Sequence, residues 1–183
     1  MPPSSALQPS PPSPPSPPST HRRDEIAAGL DAVRTRIEAA RAAAGRVDAV
    51  TLVVVTKTFP ASDVAILAGL DVTDVGENRD QEASAKRVEV AETAAAVRWH
   101  MIGQLQRNKV ASVARWADVV ESVDRPAVAI ALGRAAAAAD RTLDVLLQIA
   151  LDVPLRDDRG GIAPDEALGL AEVVAEQPGL ALR

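Results

Sequence analysis

From residue 51 onward, short runs rich in β-branched residues alternate with segments of helical periodicity, and this alternation limits the folds open to the chain. The runs that predict strands are 51–56, 71–75, 98–102, 118–122 and 143–151, with a sixth strand opening at 180–183. The first run is apolar between its terminal threonines, which indicates a strand buried on both faces, as in a parallel sheet. The sequence therefore predicts an α/β fold with parallel strands and right-handed crossovers.

The helices predicted between these strands are 60–68, 81–93, 105–116, 126–139 and 164–176. Pro60 suits the first turn of the first of them, and Gly69 follows its end. A further helix precedes the first strand, because apolar residues recur at helical spacing on one face: Ile26, Leu30, Val33 and Ile37. We expect this helix to begin near Asp24 and Glu25, whose charges complement the helix dipole, and to end at Gly45.

Two architectures suit such a chain, an open doubly wound sheet and an eight-stranded barrel. The phosphate-binding patterns GxGxxG and GxxxxGK[ST], which are typical of open sheets, are missing, and their absence favours the barrel. A complete barrel needs roughly 200 residues or more, whereas 163 residues (183 minus 20) follow position 20. We therefore expect a (β/α)8 TIM-like barrel over 21–183 that is incomplete, with about five and a half β/α units and its C-terminal part missing.

The first 20 residues differ in composition from the rest of the chain. They contain nine of the 14 prolines and six serines, but no charged side chain. Such a segment has too little apolar surface to offset the entropy of ordering, so we expect a disordered tail that is partly polyproline II. Its PxxP-like spacings leave open a role in recruiting a partner protein.

Composition excludes several classes of site. No cysteine is present, so disulfides, thiolate nucleophiles and cysteine-ligated metals are excluded, and two histidines are too few for most histidine-built metal centres. A net charge of −5 with 2% aromatic residues argues against a nucleic-acid partner. No apolar stretch is long enough to cross a bilayer. We expect a cytoplasmic protein with no metal, no nucleic-acid partner and no membrane partner.

Lys57 is the strongest candidate for chemistry, because it follows the first predicted strand directly. The carboxyl ends of parallel strands form the active-site edge of α/β folds. We expect partial desolvation of the amine there, which favours the uncharged form that attacks carbonyl groups. The alternatives are a lysine that extends into solvent from a strand end, or one paired with a carboxylate.

Two further segments carry polar groups to the same edge. Gly76, Glu77 and Asn78 follow the second predicted strand, where Glu77 is able to pair with Lys57 and Asn78 either contacts a ligand or caps the next helix. His100 lies in the third strand, so either His100 or the next residue, Met101, points inward. The simpler role for His100 is that of a core histidine whose ring nitrogens are hydrogen-bonded within the protein. The segment 104–109 adds amides and two cations, and the loop 156–161 offers charges and two glycines.

Together these motifs resemble the pyridoxal phosphate homeostasis proteins. The matching strings are Val-Val-Thr-Lys-Thr at 54–58, Gly-Glu-Asn at 76–78 with Gln-Glu at 81–82, and Trp-His-Met-Ile-Gly-Gln-Leu-Gln-Arg-Asn-Lys at 99–109. The resemblance implies the barrel of the alanine racemase N-terminal domain, fold-type III among pyridoxal phosphate proteins. It also implies that pyridoxal 5'-phosphate forms a Schiff base with Lys57, as an internal aldimine, and that Asn78 and His100 are its cofactor-binding neighbours.

The resemblance further implies a non-catalytic carrier or regulator, for which no catalytic residue is assigned. Such a protein would exchange the cofactor with pyridoxal-phosphate-dependent apo-enzymes. We expect it to be a monomer. The chain departs from the family in its tail and in the loop near Arg159. It also lacks the later strands, whose serine turn and Arg-x-Gly stretch hold the phosphate. The alternative is a racemase-like enzyme of the same fold type with Lys57 as general base, which the absence of tyrosine disfavours. A third hypothesis is a binding module that acts through the tail.

Overall fold

The structure, a computed structural model, describes residues 20–152 and 160–183. Its strands are β1 (Val53–Val55), β2 (Asp74–Glu77), β3 (Arg98–Met101), β4 (Val119–Val123), β5 (Leu143–Leu147) and β6 (Leu180–Leu182). Its helices are α1 (Thr20–Ala43), α2 (Ala61–Ala68), α3 (Asp80–Glu89), α4 (Val110–Trp116), α5 (Pro126–Ala138) and α6 (Ala167–Ala175). Short 3-10 turns at Arg107–Lys109 and Pro164–Glu166 precede α4 and α6.

The strands form one parallel sheet in the order β1-β2-β3-β4-β5-β6. Every strand therefore pairs with its neighbour in the sequence, as in a barrel, whereas a doubly wound sheet reverses its order at a switch point. In the described part of the chain β1 pairs with β2 alone and β6 with β5 alone, so the barrel is not closed. The predicted incomplete β/α barrel is confirmed, with six strands and five crossover helices.

The apolar core lies between the sheet and the helices that cover its outer face. Alternate strand residues point to this face, and they are almost fully buried: Val75, Trp99, Val120 and Val145. The helices contribute Val64, Val113, Leu132 and Val174, which are 0% exposed. Burial of each such side chain contributes about 1.5–3 kcal/mol to folding, so this layer fixes the strand register on which the site depends.

Several local predictions are wrong, including two bounds: β5 ends at Leu147 rather than at 151, and α4 begins at Val110 rather than at 105. Strand β1 is only half-buried, because it is an edge strand, and Val55 is 46% exposed. Helix α1 begins at Thr20, so Asp24 lies beyond its first turn. Strand β2 begins at Asp74 rather than at 71, and Gly76 and Glu77 therefore lie within the strand instead of after it.

Other local predictions hold. Pro60 precedes α2 and Gly69 ends it, as predicted. The N-terminal tail lies outside the described residues except for Thr20, which is helical. The charged part of the predicted loop, 156–159, also lies outside them.

Candidate functional site

Lys57 lies in a tight turn that follows β1 at the carboxyl edge of the sheet. The Phe59 backbone N–H donates to the Thr56 carbonyl oxygen over 3.1 Å, which closes a four-residue turn with Lys57 in its second position. The third position, Thr58, has φ of 70°, as in a type II turn, where glycine is normally preferred. The turn therefore projects Lys57 at the edge where active sites of parallel folds form.

The Lys57 side chain differs from expectation in two ways. It is exposed rather than partly desolvated, since it follows an edge strand. It also makes no pair with Glu77: among residues 20–152 and 160–183 its ammonium has no hydrogen-bond or ion-pair partner. The predicted Lys57–Glu77 pair is wrong, because Glu77 points to the helix-facing side of β2, where it meets Lys86 of α3.

Lys86 is the centre of a buried polar network behind the turn. Its Nζ donates to Glu77 Oε1 over 2.8 Å, to Glu82 Oε1 over 2.6 Å and to the Thr56 carbonyl oxygen over 2.9 Å. Thr56 Oγ1 also donates to Glu77 Oε1, over 2.7 Å. The hydrogen bond from Lys86 is the main cause that lowers the pKa of Glu82, and the hydrogen bond from the Thr58 N–H adds to it, whereas burial opposes both.

Asn78 lines an open cleft of about 460 Å³ between the loops that follow β2 and β3. The two loops touch closely, since a Cβ on Gly103 would overlap the Asn78 carbonyl oxygen. Arg79 and Asp80 also line the cleft, and the remaining lining residues come from motifs singled out in the sequence: Gln81, Glu82, Met101, Gln104–Gln106 and Lys109. The structure thus brings Asn78 together with the 104–109 segment, and Glu82 connects this cleft to the Lys57 turn through a 2.6 Å hydrogen bond from the Thr58 N–H.

His100 occupies a different position, on the inner face of the sheet, which lies opposite the helices. The strand register pairs His100 with Gly76, and Gly76 with Val55. His100 therefore lies at the level of Val55, two residues before Lys57, which is about 7 Å along the strand direction. Met101 points to the helix layer, as the predicted alternation requires.

Both ring nitrogens of His100 contact carboxylates. Nε2 lies 2.9 Å from Asp74 Oδ1 and Nδ1 lies 2.7 Å from Glu121 Oε1, and the ring is 6% exposed. Each ring nitrogen thus has its own carboxylate partner within hydrogen-bond distance. His100 is therefore a satisfied histidine, and its role as a cofactor neighbour stays a prediction.

Asp74 joins this histidine to further charges on the inner face. Burial alone would raise the pKa of Asp74, but hydrogen bonds from Thr73 and His100 and the charge of Arg98 outweigh burial and lower it. Arg98 extends the network to Asp144 over 2.6 Å, and Arg183 reaches the same carboxylate over 2.8 Å. These ion pairs join β2, β3, β5 and the residue after β6.

Sequence reasoning missed Lys86 and the inner-face ion pairs. The spacing of Glu82 and Lys86 by four residues is a signal for a helix-surface pair. That spacing gives no indication that both side chains reach the turn at Lys57. The described residues contain no group of three His, Asp or Glu side chains placed to hold a metal ion, and none of their helices is long and apolar enough to cross a membrane.

Comparison with known proteins connects this architecture to a family. Residues 29–183 match the alanine racemase N-terminal domain. The pyridoxal phosphate homeostasis protein of Mycobacterium leprae is 44% identical over 155 residues, or 77% of this chain and 60% of that protein. Its counterpart in Mycobacterium tuberculosis (strain H37Rv) is 42% identical over 177 residues, or 88% of this chain and 69% of that protein.

Solved structures agree with the sequence matches. An unknown protein from Bifidobacterium adolescentis has a TM-score of 0.79 at 33% identity, covering 90% of this chain and 69% of that one. PipY of Synechococcus elongatus, solved with PLP bound, has a TM-score of 0.70 at 26% identity, covering 86% and 68%. A Clostridium difficile alanine racemase, at 13% identity and a TM-score of 0.59, shares the fold alone.

The match over residues 29–183 and the parallel sheet in barrel order place the chain in the alanine racemase N-terminal domain class. Within that class, the chain belongs to the pyridoxal phosphate homeostasis protein family. It spans 60% to 69% of the length of the two mycobacterial relatives.

Proposed function

We propose that this chain binds pyridoxal 5'-phosphate through the ε-amine of Lys57 and acts as a carrier in cofactor homeostasis. The observation that carries the proposal is a lysine without a partner among the described residues, presented by a fixed turn at the carboxyl edge of the sheet. The curated relatives named for pyridoxal phosphate homeostasis and the neighbour solved with PLP support it.

The lysine inventory of the chain agrees with this assignment. The sequence contains three lysines. Lys86 is 7% exposed and makes three short hydrogen bonds, so its amine is neither free nor accessible. Lys109 lies 3.9 Å from Asp80 on the rim of the cleft. Lys57 is thus the lysine best suited to react with an aldehyde at the active-site edge.

Other residues near this edge suit the remaining parts of the cofactor. When bound, pyridoxal phosphate supplies a reactive aldehyde on an electron-withdrawing ring, together with a phosphate dianion. Asn78 offers a donor and an acceptor at the end of β2. Arg79 also lines this cleft, where the carboxylates of Asp80 and Glu82 accompany it.

A carrier role is favoured over a racemase. A racemase needs a second acid or base on the opposite side of the cofactor, and the sequence contains no tyrosine to provide one in the manner of alanine racemases. The similarity to those enzymes extends to the fold alone. As a carrier, the protein would work in the cytoplasm as a monomer and exchange the cofactor with apo-enzymes. These roles of the whole protein are proposals, because the chain spans only part of its relatives.

A titration tests the proposal. Pyridoxal phosphate added to the wild-type chain should change its visible absorbance saturably as Lys57 binds the aldehyde. Lys57→Ala should abolish the saturable change, whereas the matched control Lys109→Ala should retain it. A saturable change of wild-type size in Lys57→Ala would refute the assignment.

A further inference from the structure

The backbone that carries Lys57 is strained at its next residue. Thr58 is β-branched and has φ of 70°, in the left-handed region that favours glycine. Nothing in the turn itself compensates for this conformation, since its internal hydrogen bond joins Phe59 to Thr56. Strained residues of this kind persist only where surrounding groups hold them.

Helix α3 supplies groups that hold this turn. Glu82 Oε1 accepts the Thr58 backbone N–H over 2.6 Å, and Lys86 Nζ donates to the Thr56 carbonyl oxygen over 2.9 Å. These two backbone groups belong to the peptide bonds immediately after and immediately before Lys57. Both peptide groups that flank the lysine are therefore held by charged side chains, and hydrogen bonds to ionised groups are the stronger kind.

The two holding groups are themselves fixed. Glu82 and Lys86 pair with each other over 2.6 Å, four residues apart on α3. Lys86 is anchored from below by Glu77, which is 0% exposed and lies 2.8 Å away. Glu77 belongs to β2, so the network links the rigid sheet to the turn through one helix.

We infer that Glu82 and Lys86 are positioning residues, which hold the strained turn at Thr58 so that Lys57 projects in one direction toward its aldehyde ligand. The inference rests on the proposed function for the identity of the ligand, but the holding of the turn stands on the geometry alone. It assigns a purpose to an ion network that makes no contact with the Lys57 side chain.

The experiment compares Glu82→Ala and Glu82→Gln with Glu89→Ala, an exposed glutamate at the other end of the same helix. Two quantities are measured, and the first needs no cofactor. Amide hydrogen exchange by NMR should be at least tenfold faster at Thr58 in Glu82→Ala, intermediate in Glu82→Gln, which keeps an acceptor oxygen, and unchanged in Glu89→Ala.

The second quantity is the rate of labelling by pyridoxal phosphate at each lysine. The amine and the aldehyde condense with loss of one water, borohydride reduces the C=N bond, and peptide mass analysis counts the product. Glu82→Ala should lower labelling at Lys57 about tenfold while labelling at Lys109, the internal reference, and the melting temperature change little.

A second substitution separates positioning from general damage. Thr58→Gly removes the strain that Glu82 offsets, so adding it to Glu82→Ala should restore at least half of the lost Lys57 labelling. Unchanged Thr58 exchange in Glu82→Ala, an equal loss of labelling at Lys57 and Lys109, or no recovery in the double variant would each overturn the inference. If pyridoxal phosphate labels no lysine of the wild-type chain, the proposed function is refuted. The hydrogen-exchange rate at Thr58 would still decide whether Glu82 holds the turn.

Discussion

Replacement of Lys86 by methionine removes the charge at the centre of the network behind the turn while it keeps an unbranched apolar side chain. Glu77 then stays in the core at 0% exposure with no cation, and its Oε2 atom already lacks a partner among the described residues. Removal of one partner from a buried ion pair costs about 3–5 kcal/mol, because the remaining charge is buried and uncompensated. For a chain of this size that loss lowers the melting temperature by roughly 10 °C.

The assay is urea unfolding followed by the fluorescence of Trp99 and Trp116, which are both buried. Lys109→Met is the matched control, and it should cost no more than about 0.5 kcal/mol, since that lysine is 37% exposed and its carboxylate partner is 3.9 Å away. Adding Glu77→Gln to Lys86→Met should recover about 1 kcal/mol or more, because the buried charge is gone. A free energy of unfolding for Lys86→Met within about 1 kcal/mol of the wild-type value would refute the reasoning.

Three further predictions follow from single positions. Gly103→Ala should lower the free energy of unfolding by about 1–3 kcal/mol, because the new methyl group would overlap a neighbouring carbonyl. Gly169→Ala, on an open helix surface, should raise it by about 0.5–1 kcal/mol. Equal effects of the two substitutions in urea unfolding would contradict this. Thr58→Gly should raise stability by about 0.5–1 kcal/mol through relief of its positive φ, and a loss would show that φ is not strained. The lowered pKa of Asp74 means that its contribution is complete above its unfolded pKa and disappears as the pH falls through the folded pKa. Between about pH 5 and pH 3 the free energy of unfolding should therefore fall further in the wild type than in Asp74→Asn. Parallel plots of this free energy against pH would contradict the prediction.

The order of elements was predictable because each strand and helix carries its own periodicity. The sequence also placed Lys57 at the carboxyl edge, since β1 ends within two residues of it. The boundaries of β2 were not predictable, because 71–75 has the alternation of a strand while the register with β3 extends through Glu77. That shift moved Glu77 from the loop into the strand and turned its side chain away from Lys57.

The partners of the site residues were beyond sequence reasoning for a different reason. The exposure of Lys57 follows from the edge position of β1, which depends on how the sheet ends. The contacts of His100 with Asp74 and Glu121 join three strands, and such pairs depend on the register between strands. Residue type at one position indicates that a charge needs a partner, but only the folded sheet determines which partner it meets.

Borohydride trapping tests the central claim most directly. The wild-type chain is incubated with pyridoxal phosphate, reduced with borohydride and digested. The mass of each lysine-containing peptide is then measured. The account predicts a pyridoxyl group on Lys57 and little on the other two lysines. A label found mainly on Lys86 or Lys109, or on no lysine at all, would contradict it.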